Sequence, residues 1–249
     1  MEQKQQFPTE QVTLPSKGLL YPEDSPLRKG TIEMKYMTAR EEDILSNQNY
    51  IENGTVIDKL LKSLIVTPGI NYNDLLIGDK NALLVAARIL GYGADYDFEL
   101  DGEEYNIDLT TLEDKIFDES IVINNKNEFN YTLPTSKIDI TFKFLTHGDE
   151  SKISKEIKGL KKLDKNSSRD SSTRIKYSIV SINGDYEQKT IREFVDTTML
   201  ARDSRALRNH IKAIQPDIDL SFKYTNKRGQ EKEADIPIGV GFFWPDVDV

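Results

Sequence analysis

Cysteine is absent from the 249 residues, which excludes disulfides and every thiolate metal site. Histidine occurs twice, as His147 and His210, and neither stands in a recognisable catalytic constellation. No Gly-x-Ser-x-Gly, Walker A or His-Glu-x-x-His pattern occurs. No apolar run approaches the roughly 18 residues that a membrane-spanning helix needs. The first seven residues, Met1 to Phe7, lack the apolar core of a signal peptide. These absences predict a soluble, intracellular product with neither metal nor cofactor. Carboxylates are abundant, but an acid–base pair cannot be singled out of forty-two of them by sequence.

The charge that is present is unevenly placed. The net charge is -9 with a pI near 4.9, so general affinity for nucleic acid is disfavoured unless a basic patch is segregated. Residues 94–150 carry fifteen acids against four lysines, whereas 151–178 carry nine cations against three acids. Tyr177 is the one aromatic of the basic segment, too few for a stacking platform. A solvated or protein-facing role is the preferred reading, including contact with the acidic region of this chain or the next.

Residues 1–30 read as an extended arm. Pro15, Pro22 and Pro26 fix φ and remove donors, amid Leu19, Leu20, Tyr21 and Leu27. These four apolar side chains are assigned to partner binding. Residues 31–93 form a mostly helical N-terminal module. The run 32–36 alternates as a strand, and Thr38 with Glu41 makes a capping box opening a helix over 38–47. A second helix is expected over 56–65. A third is expected over 80–92, with Asp79 as its cap and Gly91 and Gly93 at its end.

Residues 94–147 form an acidic β-rich middle. Asp101-Gly102 divides 96–109 into a hairpin, and a second strand pair flanks Pro134-Thr135. Residues 148–249 form a helical C-terminal module with a terminal β-hairpin. It contains a helix over 149–162, a linker over 164–172, and a helix preferred over strand at 173–183. A further helix starts at 190–194, and the strongest amphipathic one covers 198–214 before Pro216. On it, Arg202, Arg205 and Arg208 share one side, while Leu200, Leu207 and Ile211 face the core. Residues 217–238 read as a hairpin turning at Gly229, followed by the aromatic cluster Phe242, Phe243 and Trp244. The fold class is α+β.

The order of these pieces resembles a known family. The segments "LPSKGLLYPEDSPL" (14–27), "GTIEMKYMTAREEDILSNQNYI" (30–51), "LLKSLIV" (60–66), "IGDKNALLVAARILGYG" (77–93), "ARDSRALRNHI" (201–211) and "FFWPD" (242–246) are similar to the hub and baseplate-assembly proteins of T-even-like contractile-tailed bacteriophages. The resemblance covers most of the chain and is most specific in its first third. It implies a non-enzymatic hub subunit or hub-assembly factor, made in the host cytoplasm and placed in the tail baseplate. It implies other baseplate or tail proteins as partners, engaged by the arm, by Arg202, Arg205 and Arg208, and by Phe242, Phe243 and Trp244. A homo-oligomer stays open. So do an assembly chaperone that leaves the virion and a tail-hub hydrolase. Relatives carry Cys-x-x-Cys knuckles in the hairpin regions, where this chain has no thiol, so an inherited zinc site is out of play.

Overall fold

Strand β1 (Thr9–Thr13) pairs antiparallel with β2 (Thr31–Lys35), Val12 lying opposite Ile32. The segment between them closes on itself, the Leu14 N–H donating to Gly30 O at 2.8 Å. In this computed structural model, which describes residues 8–163, 169–226 and 228–243, the expected extended arm is therefore folded. Leu14, Leu20, Tyr21 and Leu27 are all core residues. Pro15 is buried and brings no backbone donor that would need a partner there. Pro26 opens a short 3₁₀ turn capped by Ser25, and Arg28 ties the loop by donating to the carbonyls of Gly18 and Leu19.

Helices α1 (Ala39–Leu45), α2 (Gln48–Glu52) and α3 (Val56–Leu64) follow. The capping box forms as the sequence predicts: Glu41 Oε2 accepts from both the N–H and the hydroxyl of Thr38. The inward face of α3 is Val56, Leu60, Leu61 and Leu64. Helix α4 (Ile77–Tyr92) is buried on much of its circumference, as its apolar composition requires. It starts three residues before the expected position, because Asp79 is not its cap. Asp79 lies inside the first turn, fully buried, and holds the N-terminal loop.

Strands β3 (Asp95–Leu100) and β4 (Glu103–Asp108) form the first expected hairpin. Asp101 and Gly102 both adopt positive φ, +54° and +76°, as a type I′ turn demands. Strands β5 (Phe129–Thr132) and β6 (Asp139–Phe142) form the second.

Helix α5 (His147–Leu163) is followed by α6 (Asp170–Ser178) and β7 (Ile179–Ile182). This corrects two expectations. Residues 170–172 of the presumed linker are helical, and 164–168 lie outside the described residues. The stretch 173–183 is half helix and half strand, because β6 offers β7 an edge to pair with, Ile140 facing Ile182. The acidic middle and the C-terminal segment thus share one three-stranded sheet.

Helix α7 (Gln188–Glu193) runs into a π-turn at Phe194–Thr198, and α8 (Ala201–Ile214) follows. Strands β8 (Ser221–Thr225) and β9 (Glu231–Asp235) form the terminal hairpin. Among the described residues the architecture is α+β: helices packed with four small antiparallel sheets. No described helix is long and apolar enough to cross a membrane.

Candidate partner-docking face

Helix α8 is fixed to the body by its inner side. Asp203 is fully buried, and its carboxylate accepts the backbone N–H groups of Thr135 and Ser136 at 2.8 and 2.9 Å. These donors outweigh burial and hold the carboxyl below its ordinary value. One turn on, Leu207 is fully buried. His210 stacks on Tyr131 with ring centroids 4.3 Å apart and meets the edge of Phe142. Burial lowers the His210 pKa, favouring the neutral ring. The spacing 203, 207, 210, 214 is that of one helical face, on which Asp203 and His210 meet the β5–β6 hairpin.

The outer side carries Arg202, Arg205 and Arg208, all exposed. None of the three makes an ion pair or hydrogen bond among the described residues. Leu200, expected to face the core, is 46% exposed at the N-cap instead. It stands at the N-cap with extended backbone, before the helical face begins. Sequence reasoning missed Ile116. It is 97% exposed and lines a groove with Lys115, Asn209 and Lys212. Only an apolar side chain in a nonperiodic stretch marked it, and that pattern does not reveal exposure. Around Lys115 and Lys212 the groove also holds Glu113, Asp114, Asp219, Glu233 and Asp235, so the arginine side of α8 borders an acidic groove. The face is a rigidly backed guanidinium ridge with apolar side chains at its two ends. Such a surface recognises carboxylates through arginine forks.

The other residues assigned to binding lie elsewhere. Leu20, Tyr21 and Leu27 are buried and Leu19 is partly buried against the core, because the N-terminal loop folds inward. Phe242 and Phe243 are core residues, Phe242 meeting the edge of Tyr96 with centroids 4.7 Å apart. These six side chains do not form a free surface with α8. Trp244 lies outside the described residues.

A second polar cluster surrounds His147. Its Nδ1 lies 3.3 Å from Lys80 Nζ, and its Nε2 lies 3.4 Å from both Ser151 Oγ and Asp58 Oδ2. Lys80 and the Tyr72 hydroxyl also donate to Asp58. A Ser–His–Asp relay needs the hydroxyl and the carboxylate on opposite ring nitrogens. Here both face Nε2, and a cation occupies Nδ1. Burial, then Lys80 and Lys62, depress the His147 pKa, with Asp58 acting against them. The arrangement reads as a satisfied internal network joining α3, α4 and α5. Among the described residues no group of three or more His, Asp or Glu could hold a metal ion.

A family model described as T4 bacteriophage base plate protein matches residues 9–244. The chain belongs to that family. The match spans the folded N-terminal loop, both acidic hairpins and α8, so membership rests on nearly the whole fold. The family points to a structural role in the baseplate and to a location in the phage tail. No curated protein and no solved structure matches this baseplate-family chain.

Proposed function

We propose that this chain is a non-enzymatic subunit or assembly factor of the baseplate hub, acting by binding other baseplate or tail proteins. The observation that carries the reading is the α8 ridge. Three exposed arginines without partners among the described residues sit on a helix pinned from behind by Asp203, Leu207 and His210. A rigid, unneutralised face suits docking to an acidic partner, because little side-chain or backbone order must be created on binding. The structural roles of His147 and His210 support a binding role over a hydrolytic one.

The test is a triple Arg202→Gln, Arg205→Gln, Arg208→Gln variant supplied to cells infected with phage lacking this protein. The fold survives by circular dichroism while baseplate assembly, scored by electron microscopy, stops. Normal particles would reject the docking role. Mass spectrometry of purified virions separates the two forms of the proposal: a hub subunit is present in them, and a departing assembly factor is not.

A further inference from the structure

The β3–β4 hairpin has a face that repels itself. Tyr96, Phe98, Tyr105 and Ile107 point inward, and Asp95, Asp97, Glu99, Glu104 and Asp108 are exposed on the other side. Asp95 stands directly opposite Asp108, and Glu99 directly opposite Glu104. Like charges placed opposite each other across a ladder destabilise it. No lysine or arginine occurs between Asp95 and Asp108. None of these five carboxylates forms an ion pair among the described residues.

Helix α5 carries the opposite charge, equally unspent. Lys152, Lys155, Lys158, Lys161 and Lys162 are exposed on its outer half and form no ion pair among the described residues. The acids of that region are already taken: Glu156 by a bidentate Arg192, and Glu150 by Arg174. Lys152 to Lys162 spans about 15 Å of helix axis. Asp95 to Glu99 spans about 14 Å of strand. Two faces of opposite sign and similar length therefore stand on one chain and form no ion pair with each other among the described residues.

We propose that they meet between copies: the acidic face of the β3–β4 hairpin docks on the α5 lysine ridge of a second copy of this chain. Made reciprocally, the contact closes a two-fold dimer; made once per pair, it leaves one face of each sign free and propagates to a ring or a filament. It uses a different surface from the α8 ridge, so either can fail without the other.

Sedimentation velocity of the full chain tests it. Self-association is expected at about 0.1 M salt, where the Debye length is about 10 Å, and is lost near 1 M, where it is about 3 Å. Reversing the hairpin (Glu99→Lys with Glu104→Lys) or the ridge (Lys155→Glu, Lys158→Glu, Lys162→Glu) weakens association on the order of a hundredfold. A 1:1 mixture of the two variants associates again, since each then meets its complement. If ridge reversal unfolds the chain, the same lysines changed to Gln supply the measurement. A wild-type chain that stays monomeric up to millimolar concentration overturns the proposal. So does association indifferent to salt or to these changes, a mixture that fails to recover, or a monomer whose ridge instead retains a DNA duplex.

Discussion

The Tyr21 hydroxyl donates to Asp79 at 2.5 Å and accepts the Leu76 backbone N–H at 2.9 Å, joining the N-terminal loop to the start of α4. Asp79 also accepts from the N–H and hydroxyl of Ser16. Replacing Tyr21 with Phe leaves a buried N–H without its acceptor and a buried carboxyl short of a donor. The expected loss is about 1–3 kcal/mol for such an unsatisfied group. Urea unfolding measures it, and an unchanged midpoint would show that the bond contributes nothing.

Removing residues 9–30 takes away β1 and the core side chains Leu14, Leu20, Tyr21 and Leu27, and leaves Asp79 without its partners. The truncated chain should lose cooperative thermal unfolding. A truncated chain that melts like the full one would restore the picture of a free arm.

Two carboxyls give the stability opposite pH dependences. Burial raises Asp79 from 3.8 to about 6 against the pull of Ser16 and Tyr21. Its proton is bound more tightly in the folded state, so its contribution is complete below about pH 4 and declines as pH rises through 6. Burial opposes ionisation of Glu41 too, but Lys35, Ser63 and Thr38 bring it from 4.5 to about 2. Its contribution is present above about pH 4.5 and is lost as pH falls toward 2. Melting curves of Asp79→Asn should lose the decline between pH 4 and 6, and those of Glu41→Gln the acid limb below 4.5. Profiles identical to wild type would remove both assignments.

How far the sequence reached follows from the range of each interaction. The α3 stripe, the Thr38–Glu41 box and the Asp101-Gly102 turn involve neighbours within one turn or one hairpin, so periodicity and turn chemistry reveal them. Asp79 was legible only as a cap, because its partners Ser16 and Tyr21 lie about sixty residues away. β7 escaped because its strand character comes from the β6 edge, not from its own helical spacing. For the candidate site, the three arginines were legible as one helical side. The anchoring role of Asp203 and the exposure of Ile116 and Leu200 were not, since both depend on what packs nearby.

Asp203 and its helical neighbours should separate cleanly by mutation. Asp203→Ala strips the acceptor from the Thr135 and Ser136 N–H groups and should lower the urea midpoint and broaden the backbone resonances of the β5–β6 turn. Arg205→Gln on the exposed side should move stability by less than about 0.5 kcal/mol. Equal effects from the two would contradict the inner and outer sides assigned to α8.

Two glycines of α4 should respond differently to the same methyl group. A Cβ at Gly78 would lie 1.9 Å from the Pro216 carbonyl oxygen, whereas one at Gly91 would meet the Met37 thioether, 2.5 Å away. Backbone cannot give way as a methionine tip can. Gly78→Ala should therefore destabilise by about 1–3 kcal/mol. Gly91→Ala should be far milder, helped by the roughly 1 kcal/mol that alanine gains over glycine in a helix. Thermal denaturation of the pair decides the matter, and equal losses would refute the backbone contact.

The inward face of the β3–β4 hairpin has a consequence for the order in which the protein is made. Phe98 and Tyr105 rest on Phe222 and Tyr224, and Tyr96 rests on Phe242, all from the final stretch of the chain. Carboxylates that repel each other across the outer face make this hairpin depend on that aromatic clasp. While the ribosome is still copying the earlier codons, the clasp does not exist, and the hairpin's aromatic side stands bare. Phe222, Tyr224 and Phe242 therefore close a piece begun more than a hundred residues earlier. A product that stops short of β8 exposes that sticky surface and is a candidate for aggregation. The middle of this baseplate protein settles only after β8 and Phe242 have been made.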